Sequence, residues 1–294
     1  MQGGKNLYNA YANTSDGVNT NVRAVGKINI THNGYGDVIG IRGTNSAGKI
    51  NNALAYLNSA VSDAVAEGSI VLSGKGNVYG IYGNGTIANS ETQFNKNYNM
   101  LKDFSSHGVI DVTTRSDTAA AYGIYAAGAK DTKTSVYNAM GYNSTGDIKV
   151  RNTSGGSAFG IYSAAQTYTG DDDVVYYNNT YNAFRSSAIY GDSVATGNID
   201  MTIEGYSSLG QQVAGIYAAG NAFNSYANSG SDVMLETIGN ITINDKSETG
   251  NMNLRGIESN GATIANAYST GQNQNTATKV TGNINVNILA TKNG

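Results

Sequence analysis

The sequence predicts an all-β fold, a parallel β-helix or solenoid of about six repeats of roughly 42 residues, with three strands per repeat. Three observations predict it. A phrase of the form Gly-x-Ile-x-Val returns as GKINI from Gly26, GSIVL from Gly68, GVIDV from Gly108, GDIKV from Gly146, GNIDM from Gly197, GNITI from Gly239 and GNINV from Gly282. A second phrase alternates with it: GDVIGIRG, GNVYGIYG, AAYGIYAAG, SAFGIYSA, VAGIYAAG and LRGIESNG, with its Gly-Ile at 40, 80, 123, 160, 215 and 256. Proline, which deletes a ladder N–H, is absent from the whole chain.

The first phrase alternates with period two. Ile28, Ile70, Ile110, Ile148, Ile199, Ile241 and Ile284 share a face with Ile30, Leu72, Val112, Val150, Met201, Ile243 and Val286. β-Branched side chains suit such a pleated, half-buried surface. Between the two sets lie mostly polar residues: Asn29, Val71, Asp111, Lys149, Asp200, Thr242 and Asn285. In stacked coils Asp111, Lys149 and Asp200 become neighbours about 4.8 Å apart, with opposite charges adjacent. Seven such strands make a ladder about 30 Å long. One repeat cannot bury its isoleucines alone, whereas stacked repeats line a common interior with like side chains.

The second phrase places its isoleucine inward and the next residue outward. The outward set is Arg42, Tyr82, Tyr125, Tyr162, Tyr217 and Glu258, a tyrosine column with a charge at either end. A small residue follows and marks a turn. A third, looser phrase of Asn, Ala and Tyr comes next: INNALAYLN, VYNAMGYN, NAFNSYAN and IANAYSTG. One repeat is therefore one three-sided coil, with two coils of about 21 residues as the alternative.

Residues 1–294 read as a single solenoid array with a longer insertion near 165–192, either a protruding loop or a partial extra coil in which SAIYG echoes SAFGIY. Short helical turns are a weak expectation in SAVSDAVAE and NYNMLKDFSS. The chain is expected to open and close in mid-unit without a cap, which leaves adherent ladder ends.

Charged residues are only 13% and the net charge is −3, which favours neither a nucleic-acid surface nor a polybasic membrane patch. Cysteine is absent, so disulfides and thiolate metal sites are excluded. No apolar run approaches the ~18 residues that span a bilayer, and the N-terminal stretch does not read as a signal peptide.

At GNVYGIYG and GNITI the sequence resembles the passenger repeats of Gram-negative autotransporters, in which phrases such as GNITV and AYGIYA alternate. The resemblance covers nearly the whole chain. It implies a right-handed helix displayed outside a Gram-negative cell, in adhesion or surface coating, with membrane attachment only through a tether that this chain does not contain.

No catalytic signature emerges, and the expectation is a protein that is not an enzyme, with no cofactor and no metal. His32 and His107 fall in different repeats, without a partner at a telling spacing. Asp171, Asp172 and Asp173 form an acidic cluster read as a solvated loop, with Ca2+ as the weaker reading. Asp111 and Asp200, with Lys149 between them, are a weak candidate for a polysaccharide-cleaving pair. The candidate binding residues are Tyr82, Tyr125, Tyr162 and Tyr217, either stacked for stability or offered to a surface glycan or a protein of a host or neighbouring cell. The expected class is an extracellular structural or adhesive solenoid. The alternatives are a head-to-tail fibre subunit or a polysaccharide-binding or -cleaving β-helix, with ice binding remote.

Overall fold

The computed structural model describes residues 2–3, 6–15, 20–43, 48–58, 62–94, 103–127, 135–164, 166–167, 175–176, 179–186, 193–207, 210–229, 235–248, 252–261, 263–271 and 278–289. Within them the chain is all-β, with three seven-stranded parallel sheets. The Gly-Ile sheet runs Gln2–Gly3, Val38–Gly43, Val78–Gly83, Ala121–Ala126, Ala158–Ser163, Gln212–Ala218 and Asn253–Ser259. The Asn-Ala sheet runs Asn6–Asn13, Lys49–Leu57, Thr86–Phe94, Ser135–Met140, Asn179–Ser186, Ala222–Ser229 and Ile264–Gly271. The Gly-x-Ile-x-Val sheet runs Asn21–Thr31, Asp63–Gly74, Phe104–Thr114, Ser144–Asn152, Ser193–Gly205, Leu235–Ser247 and Thr278–Ile288. The chain visits the sheets in that order, once per coil. Each repeat is thus one three-sided coil, as expected, and among the described residues each of the three sheets holds seven strands, in line with an array of about six repeats.

The two-residue strand Gln2–Gly3 pairs with Arg42–Gly43, the last two residues of Val38–Gly43. The residues that suggested a helical turn after Ser59 lie, from Asp63 on, in a twelve-residue strand. Its burial alternates with period two, and inward alanines pack there as the isoleucines do further along. In the other suggested turn, Phe104 to Ser106 are likewise strand; residues 97–102 lie outside the described residues. In the longer repeat, Gln166–Thr167 pairs antiparallel with Val175–Tyr176, outside the three sheets. Ser187 to Gly191, read as an echo of a coil, lie outside the described residues.

The predicted register holds. Ile28, Ile70, Ile110, Ile148, Ile199, Ile241 and Ile284 are consecutive partners across the Gly-x-Ile-x-Val sheet. Ile70, Ile110, Ile148, Ile199 and Ile241 meet Ile41, Ile81, Ile124, Ile161 and Ile216 in one core cluster, with Ile28 and Ile257 packed against it. Full burial of each such side chain contributes roughly 1.5–3 kcal/mol against exposure, and the like-on-like columns repeat that gain through the interior coils.

The Gly-Ile and Asn-Ala strands depart from strict alternation. In Val78–Gly83 both Gly80 and Ile81 face inward, while Tyr79 and Tyr82 face outward. In Ser135–Met140, Asn138 and Ala139 do the same. Two successive inward residues bend the strand around the narrow core, as a bulge does. The glycine is required at this bend by close approach: a Cβ on Gly123 would stand 2.3 Å from Ile148 Cγ2.

The inward asparagines form a polar column through the coils. Asn9 donates its side-chain amide to Asn52, Asn52 to Asn89, Asn89 to Asn138, Asn138 to Asn182, Asn182 to Asn224 and Asn224 to Asn266, each at 2.8–2.9 Å. The amides of Asn52 through Asn266 also donate to the carbonyls of Gly68, Gly108, Gly146, Gly197, Gly239 and Gly282. These glycines open the first phrase, which explains their recurrence. A Cβ on Gly108 would lie 2.1 Å from the Asn89 carbonyl oxygen, so only glycine lets the two sheets meet at this corner.

One inward position breaks the pattern. Arg185 is fully buried in Asn179–Ser186, with its guanidinium 5.5 Å from the ring centre of Tyr142. Its Nε, Nη1 and Nη2 find no hydrogen-bond partner among the described residues. Desolvation pulls its pKa down to about 10.

Candidate binding face

The Gly-Ile sheet brings the four predicted tyrosines together. Arg42, Tyr82, Tyr125, Tyr162, Tyr217 and Glu258 are successive register partners. The rings of Tyr82, Tyr125, Tyr162 and Tyr217 stack at 5.1, 5.0 and 4.8 Å, within 10° of parallel. Arg42 lies over the outer face of Tyr82 at 5.6 Å. At the other end Glu258 pairs with Arg255 at 3.1 Å.

The bend at Gly-Ile adds a second ladder that strict alternation could not foresee. Tyr79, Tyr122 and Phe159 stack at 4.9 and 5.2 Å. They meet the first ladder edge-on: Tyr79 with Tyr82 at 5.4 Å and Tyr122 with Tyr125 at 5.1 Å. The signal was present in the sequence as an aromatic residue directly before three of the six Gly-Ile pairs, in VYGIY, AYGIY and AFGIY. The result is a two-column aromatic face of seven rings.

Stacking decides what this face can do. Ring faces are turned toward one another along the solenoid axis, so a partner meets edges and phenolic hydroxyls at about 5 Å spacing, not open ring faces. That differs from the rigid apolar face expected of single tyrosines. Desolvation raises the Tyr125 and Tyr162 phenols, with neighbouring phenols adding to it, and pushes Tyr79 up to about 12 with help from Asp37. These hydroxyls therefore remain protonated and able to donate at neutral pH.

The Gly-x-Ile-x-Val sheet presents a flat polar face. Asp111, Lys149 and Asp200 are adjacent register partners there, as the repeat spacing required. On the same sheet His107 meets Asp147 at 2.7 Å, a pairing that sequence spacing did not reveal. Asn198 donates to the other oxygen of Asp147 at 2.7 Å, and Asn240 and Asn283 extend that row. The Asp147 bond raises the His107 pKa, and the His107 bond lowers that of Asp147. A shallow groove of about 170 Å³ lies beside this pair, lined in part by Lys27, Glu67 and Ser69. His32 sits on a different coil. Among the described residues no group of three or more His, Asp or Glu is placed to hold a metal ion. Asp171, Asp172 and Asp173 lie outside the described residues.

No protein-family model, no curated protein and no solved structure matches the chain.

Proposed function

We propose that the chain is an extracellular structural or adhesive solenoid that holds a partner against its aromatic face. The observation that carries this reading is the double ladder of Tyr79, Tyr122 and Phe159 beside Tyr82, Tyr125, Tyr162 and Tyr217. A row of rigid edges and protonated hydroxyls at one fixed spacing suits an extended, repeating partner, such as a surface glycan, or a strand of a host or neighbouring-cell protein. The resemblance to autotransporter passengers supports display at the surface of a Gram-negative cell. The seven-coil core supplies a stiff platform, because every coil is clamped to its neighbours by three ladders.

The test separates binding from stacking. Tyr82, Tyr125, Tyr162 and Tyr217 are changed together to phenylalanine, which keeps the ring stack and removes the hydroxyls. Binding is read on a glycan array and on whole cells, and stability by denaturant midpoint. The reading expects an unchanged midpoint with binding lost by tenfold or more, about 1.4 kcal/mol per tenfold. Equal binding by both proteins, or none by the wild type, overturns it.

A further inference from the structure

Two buried side chains on facing strands, Arg185 and Ser193, have polar atoms without hydrogen-bond partners. We propose that they form an internal anion site, which holds a small monovalent ion of the halide class, such as chloride, inside the solenoid. This inference stands apart from the surface-binding reading.

The register puts the two residues opposite each other. Ser90 meets Ser106 at 2.6 Å, and Ser225 donates to Thr237 at 2.8 Å, so these positions face across the lumen between the Asn-Ala and Gly-x-Ile-x-Val sheets. Ser90 is carried to Ala183 through Ala139, and Ser106 to Ala195 through Ser144. Ala183 and Ala195 are therefore the facing pair of the coil between them. The corner of that coil is closed by Asn182, which donates to the Gly197 carbonyl at 2.9 Å. Two residues further from the corner stand Arg185 on Asn179–Ser186 and Ser193 on Ser193–Gly205, both buried. Period two turns both inward, with Ala183 and Ala195.

The chemistry of the two groups names the occupant. Arg185 is 0% exposed, and its Nε, Nη1 and Nη2 lack partners; Ser193 is 6% exposed, and its Oγ lacks one too. A guanidinium has five N–H donors and no acceptor, so it cannot be satisfied by another donor. The Tyr142 ring, 5.5 Å away, attracts the charge but leaves those donors free. What both groups lack is an acceptor, and what the charge lacks is a counter-charge. A buried ion is tolerable only when paired, and an anion bridging Arg185 and Ser193 supplies both needs at once. The column is otherwise small here: Ala12 pairs with Ala55, Ala55 with Thr92, and Arg185 itself with Ala227. Tyr142 also belongs to an apolar cluster with Leu57 and Phe104. Such surroundings favour a compact, singly charged, weakly hydrated ion over phosphate or sulfate, whose extra charge costs more to bury.

Thermal unfolding in sodium chloride against sodium gluconate at equal ionic strength tests the proposal, since gluconate is too large to enter. The wild-type midpoint should rise saturably with chloride above its value in gluconate. Arg185→Met should lose that difference. Ser193→Ala should keep it but need about tenfold more chloride, the worth of one hydrogen bond to an ion. Bromide gives a reading that needs no variant and decides the matter if Arg185→Met fails to fold. A wild-type crystal soaked in bromide should carry an anomalous peak in contact with the Arg185 guanidinium. Equal responses of wild type and Arg185→Met to chloride overturn the proposal, and so does bromide found only elsewhere. An Arg185→Met chain that is less stable than wild type in gluconate also overturns it, because a carboxylate of the chain itself then holds the guanidinium.

Discussion

Asn89 donates its side-chain amide to Asn138 Oδ1 at 2.9 Å, across 49 residues of sequence. The same amide also reaches the Gly108 carbonyl at 2.8 Å. A polar residue in the dry interior of a solenoid is tolerable only with such partners, and each satisfied bond nets about 1 kcal/mol while an orphaned one costs about 1–3 kcal/mol.

Asn138→Ala should therefore lower stability by about 2–4 kcal/mol, because it strands the Asn89 donor and the Asn182 acceptor together. Asn138→Asp should be worse, since a carboxylate cannot donate onward to Asn182 and is charged in a buried site. Urea denaturation followed by circular dichroism checks both. An aspartate variant as stable as wild type would contradict the continuous column.

Gly146→Ala should destabilise by more than the roughly 1 kcal/mol that is typical of point mutations in general. The added methyl would stand 2.2 Å from the Asn138 carbonyl oxygen, which belongs to a ladder and cannot retreat without parting two sheets. Gly210→Ala is the control, since nothing lies within 4 Å of its Cβ position; its positive φ of 90° predicts only the modest strain of a left-handed alanine. The comparison fails if the two variants lose stability equally.

Arg185→Met should stabilise the protein, by about 1–4 kcal/mol if the effect resembles other replacements of buried charge. The methionine keeps most of the apolar stem packed near Tyr142 and removes a guanidinium with no hydrogen-bond partner among the described residues. A fall in the denaturation midpoint would show that the charge is compensated.

The His107–Asp147 pair makes stability depend on pH in a defined window. The folded His107 pKa is raised, so its contribution is full below about pH 6.5 and fades as pH rises through the folded value. The folded Asp147 pKa is lowered, so its contribution is present above its ordinary 3.8 and fades as pH falls below that. The pair helps most between about pH 4 and 6.5, by less than about 1 kcal/mol because the histidine is half exposed. His107→Gln should flatten the curve of denaturation midpoint against pH. Parallel curves for the two proteins would refute the assignment.

The isoleucine columns were legible in the sequence because β-branched residues at period two leave one arrangement that buries them. The tyrosine column was legible because the residue that follows an inward isoleucine on a strand faces outward. The second column, Tyr79, Tyr122 and Phe159, was not, because the inward pair at each Gly-Ile shifts parity within the strand. The asparagines were visible as a phrase, but their role depends on a corner between two sheets, and periodicity along one strand says nothing of corners. His107 and Asp147 were missed because they are not register partners: His107 lies opposite Thr145 and Asp147 opposite Val109, so the two side chains meet diagonally across neighbouring strands.

The amide column implies modularity with a fixed quantum. Most coils hand the next the same acceptor, glycine notch and isoleucine, so a whole coil gained or lost by duplication or deletion leaves matching surfaces to rejoin. A change of a few residues inside a strand would instead set asparagine against isoleucine and interrupt every column at once. Length in such a protein is thus free to drift, but only in steps of one complete circuit.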